Sequence, residues 1–191
     1  MLQQPEFSKL RNDLLKSAIE FYRQLQGNLG TSDEPDQQLA LAISLGKLGA
    51  ILTTVGSLEE ADATYHRART IFRELRLQNL PSTKQNHEFA DMLSKYAFLL
   101  AVLSDIKEAK SVFNHAVTVA EKLCASEPRE PTYRLSLANS LAGLASLHAD
   151  MGEVEEAERI YQLSIEASQK AVDLAPQEAD YQNRLASSHG N

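Results

Sequence analysis

The sequence is short of the residues that staple, span or steer a chain. It has one cysteine, Cys124, in 191 residues, so no internal disulfide can form. It has no N-x-S/T acceptor either, and nothing points to secretion; a cytoplasmic location is expected. Long apolar runs are missing. The longest uninterrupted one, YAFLLAVL at 96–103, is too short to span a bilayer, and the opening MLQQPEFSKLRNDLLK has no apolar core of the kind a signal peptide needs. No membrane association is expected. Basic residues are outnumbered, 19 Lys and Arg against 26 Asp and Glu, for a formal charge of −7. A concentrated positive field is what nucleic acid and anionic lipid require, so no nucleic-acid partner is expected and basic targets are tolerated better. The 8 glycines and 6 prolines are scarce and gather at boundaries. Between them apolar residues recur every three and four positions, without the alternation of half-buried strands.

What is present is a repeat. MGEVEEAERIYQLSI at 151–165 has a near twin in VGSLEEADATYHRAR at 55–69, with Gly152 on Gly56, Ala157 on Ala61 and Tyr161 on Tyr65. LSDIKEAKSVFNHAV lies midway between them and puts Ala109 and Phe113 in the same places. The three copies are therefore evenly spaced, with a period of about 48 residues. The spacing predicts an all-α chain. In the third copy Leu137, Leu141, Leu144, Ala145 and His148 form one stripe; Val154, Ala157, Ile160, Tyr161, Ser164, Ala167, Ala171 and Leu174 form a second. These are two helices of about twenty residues, roughly 30 Å long, with Gly152, like Gly56, at the turn between them. Ser57 with Glu60, and Asp105 with Glu108, have capping-box spacing. Pro35, Pro81, Pro131 and Pro176 mark the junctions between copies, where short connections make successive helices antiparallel.

The expected organisation is a single repeat domain over 1–191. It comprises a leading helix at 8–29, repeats at 36–80, 82–127 and 130–175, and the start of a fourth copy at 178–191. The leading helix has Leu14, Leu15, Ala18, Ile19, Tyr22 and Leu25 on its apolar side. Because the fourth copy stops mid-helix, the chain is expected to be a fragment of a longer protein.

The phased residues carry a resemblance. Leu45, Leu48, Gly49, Leu52, Ala61, Tyr65 and Ala68, then Leu93, Tyr96, Ala97, Leu100, Ala109, Phe113 and Ala116, then Leu141, Leu144, Ala145, His148, Ala157, Tyr161 and Ser164 resemble the tetratricopeptide signature. In that reading Gly49, Ala97 and Ala145, with Ala61, Ala109 and Ala157, lie where paired helices come closest, and Tyr65, Phe113 and Tyr161 fill the space between hairpins. The resemblance implies a right-handed superhelical stack of antiparallel helix hairpins, a TPR-like α-solenoid. The departure is the period, longer than the family's usual one of about 34 residues, with the surplus expected mostly in the second helix and its linker. Tyr181, Leu185, Ala186, His189 and Asn191 are also similar to the long-period arrays that follow kinase domains in some bacterial signalling proteins.

Chemistry finds little footing. His87 and Glu88 open an H-E-x-x-H string, but Asp91 stands where the second zinc ligand belongs, so a helical surface pair is expected and no metal. GKLGA at 46–50 is no phosphate loop. Cys124 reads as a buried small hydrophobe, and His148 as a core histidine whose polar tip finds a neighbour. Glu153, Glu155, Glu156 and Glu158 offset a helix dipole. Arg69, Arg73 and Arg76 form a solvated basic stripe that an acidic partner could also use. No catalytic residue and no cofactor are expected.

Binding is what remains: a non-catalytic protein–protein interaction scaffold, taking a peptide or amphipathic helix on a concave wall of first helices. The resemblance implies that this wall is formed by Ile43, Gly46, Ala50, Thr53, Asp91, Ser94, Phe98, Ala101, Asn139, Ala142, Ser146 and Ala149. The lysines and arginines of a carboxylate clamp are missing from it. Self-association is the alternative, in which a second copy of the chain, as part of a larger signalling protein such as a kinase, is the partner.

Overall fold

The computed structural model describes residues 5–30, 32–77, 82–178 and 182. It contains α1 (Pro5–Leu29), α2 (Pro35–Val55), α3 (Leu58–Leu77), α4 (Thr83–Val102), α5 (Ile106–Ser126), α6 (Pro131–Asp150) and α7 (Val154–Leu174). No strand occurs among the described residues, and the fold is an all-α helical repeat. The expected fourth copy at 178–191, Pro81 and the kinase-array positions from Tyr181 onward lie outside the described residues, apart from Glu178 and Gln182.

The chain forms two compact units, 1–81 and 82–191. In the first, α2 packs against α1 on one side and α3 on the other. Leu39, Leu41, Leu45, Leu48 and Leu52 of α2 are buried, as are Tyr65, Ala68 and Phe72 of α3. On α1, Leu15, Ala18, Ile19, Tyr22 and Leu25 are half-buried as expected, whereas Leu14 is exposed. By length and composition alone α2 could cross a membrane; here nine of its residues are buried within the unit.

In the second unit α4–α5 and α6–α7 are antiparallel hairpins, with α6 packed against both α4 and α5. The small residues in phase are where close approach needs them. Ala97, Ala109, Ala116 and Ala145 have no accessible surface, and Ser164 is buried with its hydroxyl donating to the Ala138 carbonyl at 2.8 Å. Phe113 behaves as expected: it reaches from α5 to the next hairpin, where a Cβ on Gly143 would overlap its ring. Tyr65 instead lies against Gly49 of its own hairpin, 2.9 Å from where a Cβ would stand. Tyr161 is only half-buried.

The three hairpin turns are built alike. The N–H groups of Ser57, Asp105 and Glu153 bond to the carbonyls of Leu52, Leu100 and His148, each at 2.9 Å. Gly56 (φ 85°), Ser104 (φ 64°) and Gly152 (φ 76°) take the left-handed conformation between them, which completes a Schellman motif once in every repeat. The surplus length is not concentrated in the second helix: the pairs run 21 and 20, 20 and 21, and 20 and 21 residues. Both helices of a hairpin lengthen together, because an unmatched extension would leave its apolar stripe without a partner.

The start signals are met in part. Asp105 accepts from the Glu108 N–H at 3.2 Å, and Pro35 and Pro131 open α2 and α6. A full capping box forms at Ser82 and Gln85. At the expected Ser57–Glu60 box, the Glu60 carboxylate reaches across to Arg23 of α1 at 2.5 Å.

Candidate functional site

Within the second unit the first helices of the two hairpins, α4 and α6, lie side by side, and polar bonds set their spacing. The Ser136 hydroxyl donates to Asp91 at 2.6 Å, and the Ser94 and Ser140 hydroxyls meet at 2.8 Å in a buried pair. Such pairs are satisfied in place, so Asp91 and Ser94 hold the wall together. Ser94 is buried, and so is Gly46 on α2; neither belongs to an exposed lining.

What α4 and α6 leave open is small and apolar. Ala101, Ala142 and Ser146 are half-buried, and Asn139 and Ala149 are exposed. Phe98 is 49% exposed, with its other edge packed on Phe113 in a T-shaped contact at 5.0 Å. That contact fixes the ring without covering it. On α2, described by itself, Ile43, Ala50 and Thr53 are half-buried. The Thr53 hydroxyl donates to the Gly49 carbonyl at 2.9 Å and is hydrogen-bonded with Tyr65.

Two clefts of about 600 and 680 Å³ lie between α1 and α3, on either side of the Arg23–Glu60 pair. Their floor is Leu45, Leu48 and Leu52. No local sequence pattern marks them, since only the packing of α1 brings Arg23 opposite Glu60.

The groups that could have carried chemistry have structural places instead. His87 pairs with Asp91 at 3.7 Å, one helical turn away. His148, 5% exposed, bonds through Nδ1 to the Glu153 carboxylate at 2.5 Å, which Lys110 of α5 also approaches at 3.4 Å. It is the core histidine with an anchored tip that the sequence predicted. Cys124 is buried, and burial pushes its thiol pKa up, away from a reactive thiolate. Arg69 is half-buried and Arg73 exposed; the side chain of Arg76 lies outside the described residues. No group of three or more His, Cys, Asp or Glu could hold a metal ion among the described residues.

Hairpins recurring at one constant spacing, with small residues in phase at the helix contacts, define a helical-repeat protein. Residues 137–175, spanning most of the third hairpin, match the family described as Tetratricopeptide repeat. That match covers the third hairpin, and with the fold it makes the chain similar to the tetratricopeptide-repeat proteins. BtubC from P. vanneervenii is similar in fold, with a TM-score of 0.55 at 16% identity over 92% of this chain and 69% of that one. MamA structures are also similar. The RS-1 ArsTM double mutant has a TM-score of 0.47 at 17% identity, covering 94% of this chain and 76% of its own. Residues 41-end from Desulfovibrio magneticus RS-1 give 0.42 at 16%, covering 90% and 83%. No curated protein matches the sequence.

Proposed function

We propose that the chain is a non-catalytic protein–protein interaction scaffold whose wall of first helices takes a peptide or an amphipathic helix. The observation that carries this reading is the α4–α6 surface: a half-exposed aromatic, Phe98, held rigid by Phe113 above a lining of alanine and serine. Small side chains let a ligand backbone approach, and a fixed ring supplies an anchor without a large entropy cost on binding. Between α4 and α6 the buried serine hydroxyls bond to one another and to backbone carbonyls, which leaves the small side chains of the wall to face a ligand.

The test compares proteins captured from a lysate by the intact chain, by Phe98→Asp and by Ala149→Lys. Ala149 is exposed on α6, so the second variant puts charge on the wall while sparing the Phe98–Phe113 contact. Loss of the same captured proteins with both variants, at unchanged circular dichroism, is expected. Retention with both would exclude the wall as the binding surface.

A further inference from the structure

The wall is not the only apolar surface of the second unit. At the end of its hairpins, Val102 and Leu103 stand 66% and 39% exposed on the α4–α5 turn, and Met151 and Val154 stand 41% and 54% exposed on the α6–α7 turn. The two turns are neighbours, since Lys110, near the start of α5, reaches Glu153 of the second turn at 3.4 Å. Isolated apolar side chains on a surface are ordinary; four on two adjoining turns, where polar residues would serve the backbone equally well, form a patch.

Acid dominates the second of these turns, while the first carries Asp105 and the exposed Lys107. Between 150 and 158 there are five carboxylates, and no base comes before Arg159. Glu153 is occupied by His148 and Lys110, and Glu156 by Arg159. Asp150, Glu155 and Glu158 are exposed and have no ion partner among the described residues. Glu155 lies in the first turn of α7, where the dipole favours it, but Asp150 is the last residue of α6, where the dipole opposes a negative charge. Stability of the helix does not account for it. The charge is also segregated along the chain. Residues 82–191 carry ten Lys and Arg against sixteen Asp and Glu, whereas residues 1–81 carry nine against ten.

We infer that this turn edge is a second docking surface, adjoining the wall of first helices at its turn end, and that its occupant is a basic amphipathic helix of a protein partner. The apolar side of such a helix covers Val102, Leu103, Met151 and Val154, and its lysines or arginines face Asp150, Glu155 and Glu158. Complementary charge steers the encounter and excludes acidic segments, while the apolar anchors hold the complex.

The experiment uses the full chain and a fluorescently labelled helical peptide of about 18 residues, leucine on one face and lysine on the other, read by anisotropy. A leucine and glutamate peptide of the same pattern is the comparison. The leucine–lysine peptide is expected to bind saturably at low salt, several-fold more weakly as the ionic strength rises to roughly 0.5 M. Val102→Ser with Val154→Ser is expected to weaken it by roughly tenfold or more, and both side chains are exposed enough to leave helicity unchanged. Asp150→Asn, Glu155→Gln and Glu158→Gln together should flatten the salt dependence. Leu174→Ser, an exposed apolar position at the far end of α7, should leave this affinity unaltered, which separates docking at the edge from general adhesion to apolar surface. Equal affinity of the double serine variant, equal binding of the leucine–glutamate peptide, or loss of binding with Leu174→Ser would each overturn the assignment.

Discussion

Gly56, Ser104 and Gly152 occupy one conformation in three consecutive turns, and only the serine has a Cβ to strain there. A left-handed residue with a side chain costs roughly 1–2 kcal/mol, partly offset because glycine loses more freedom on folding. Ser104→Gly is therefore expected to raise stability by up to about 1 kcal/mol, a rise of a few degrees in melting temperature, and Gly152→Ala to lower it by about as much. Thermal melts of the two variants with opposite signs are the check. At this scale the sequence was readable for glycine and silent for serine. Gly56 and Gly152 announce their turns, whereas Ser104 is forced into line by the identical packing of its hairpin. Gly143 is a similar case: its need for no side chain comes from the rings of Phe113 and Phe98, which only the packing of α5 and α4 on α6 brings against it.

At the scale of the helical hairpin, α2 and α3 enclose Tyr65, which is 1% exposed. Burial pushes its phenol pKa from 10.0 up to about 12, against a hydrogen bond with Thr53 that lowers it. The folded chain thus holds the proton more tightly than the unfolded one. That contribution is complete below pH 10 and is lost as pH rises through 12, amounting to about 3 kcal/mol. Denaturant titrations between pH 9 and 12 should show stability falling with pH, and Tyr65→Phe should remove that part of the slope; a slope unchanged in the variant would place the phenol in water. The pairing of helices was evident from the phased alanines. The equal lengthening of both partners was not, because hydrophobic periodicity marks the presence of a helix better than its ends. Glu60 shows why a local motif can lose: a capping spacing was available, but Arg23 of another helix holds its carboxylate.

At the scale of the whole molecule, the second unit has its own core, with Phe89, Leu93, Val112, Phe113, Leu144 and Ile160 buried among others. Residues 82–191 made alone are expected to be helical and to unfold cooperatively, seen by circular dichroism during heating; a broad, sloping melt would show that the core is incomplete without residues 1–81. Most of the net negative charge travels with this piece, and with it both surfaces proposed for partners in α4–α7.

By itself the sequence determined that this chain is a helical repeat, because a regular recurrence of small and aromatic residues over so long a period has one economical solution: hairpins that touch at the small positions. It also marked His148 as a core histidine and Cys124 as a buried small side chain. Tertiary structure alone decided which of the wall residues are open. Ser94 faces a hydroxyl on the next hairpin and is buried, while Phe98, one helical turn further on, has a ring on one side and solvent on the other. It alone also brought the start of α5 to the α6–α7 turn, where Lys110 meets Glu153. Exposure depends on what arrives from a whole repeat away in the chain, and no local pattern records that distance.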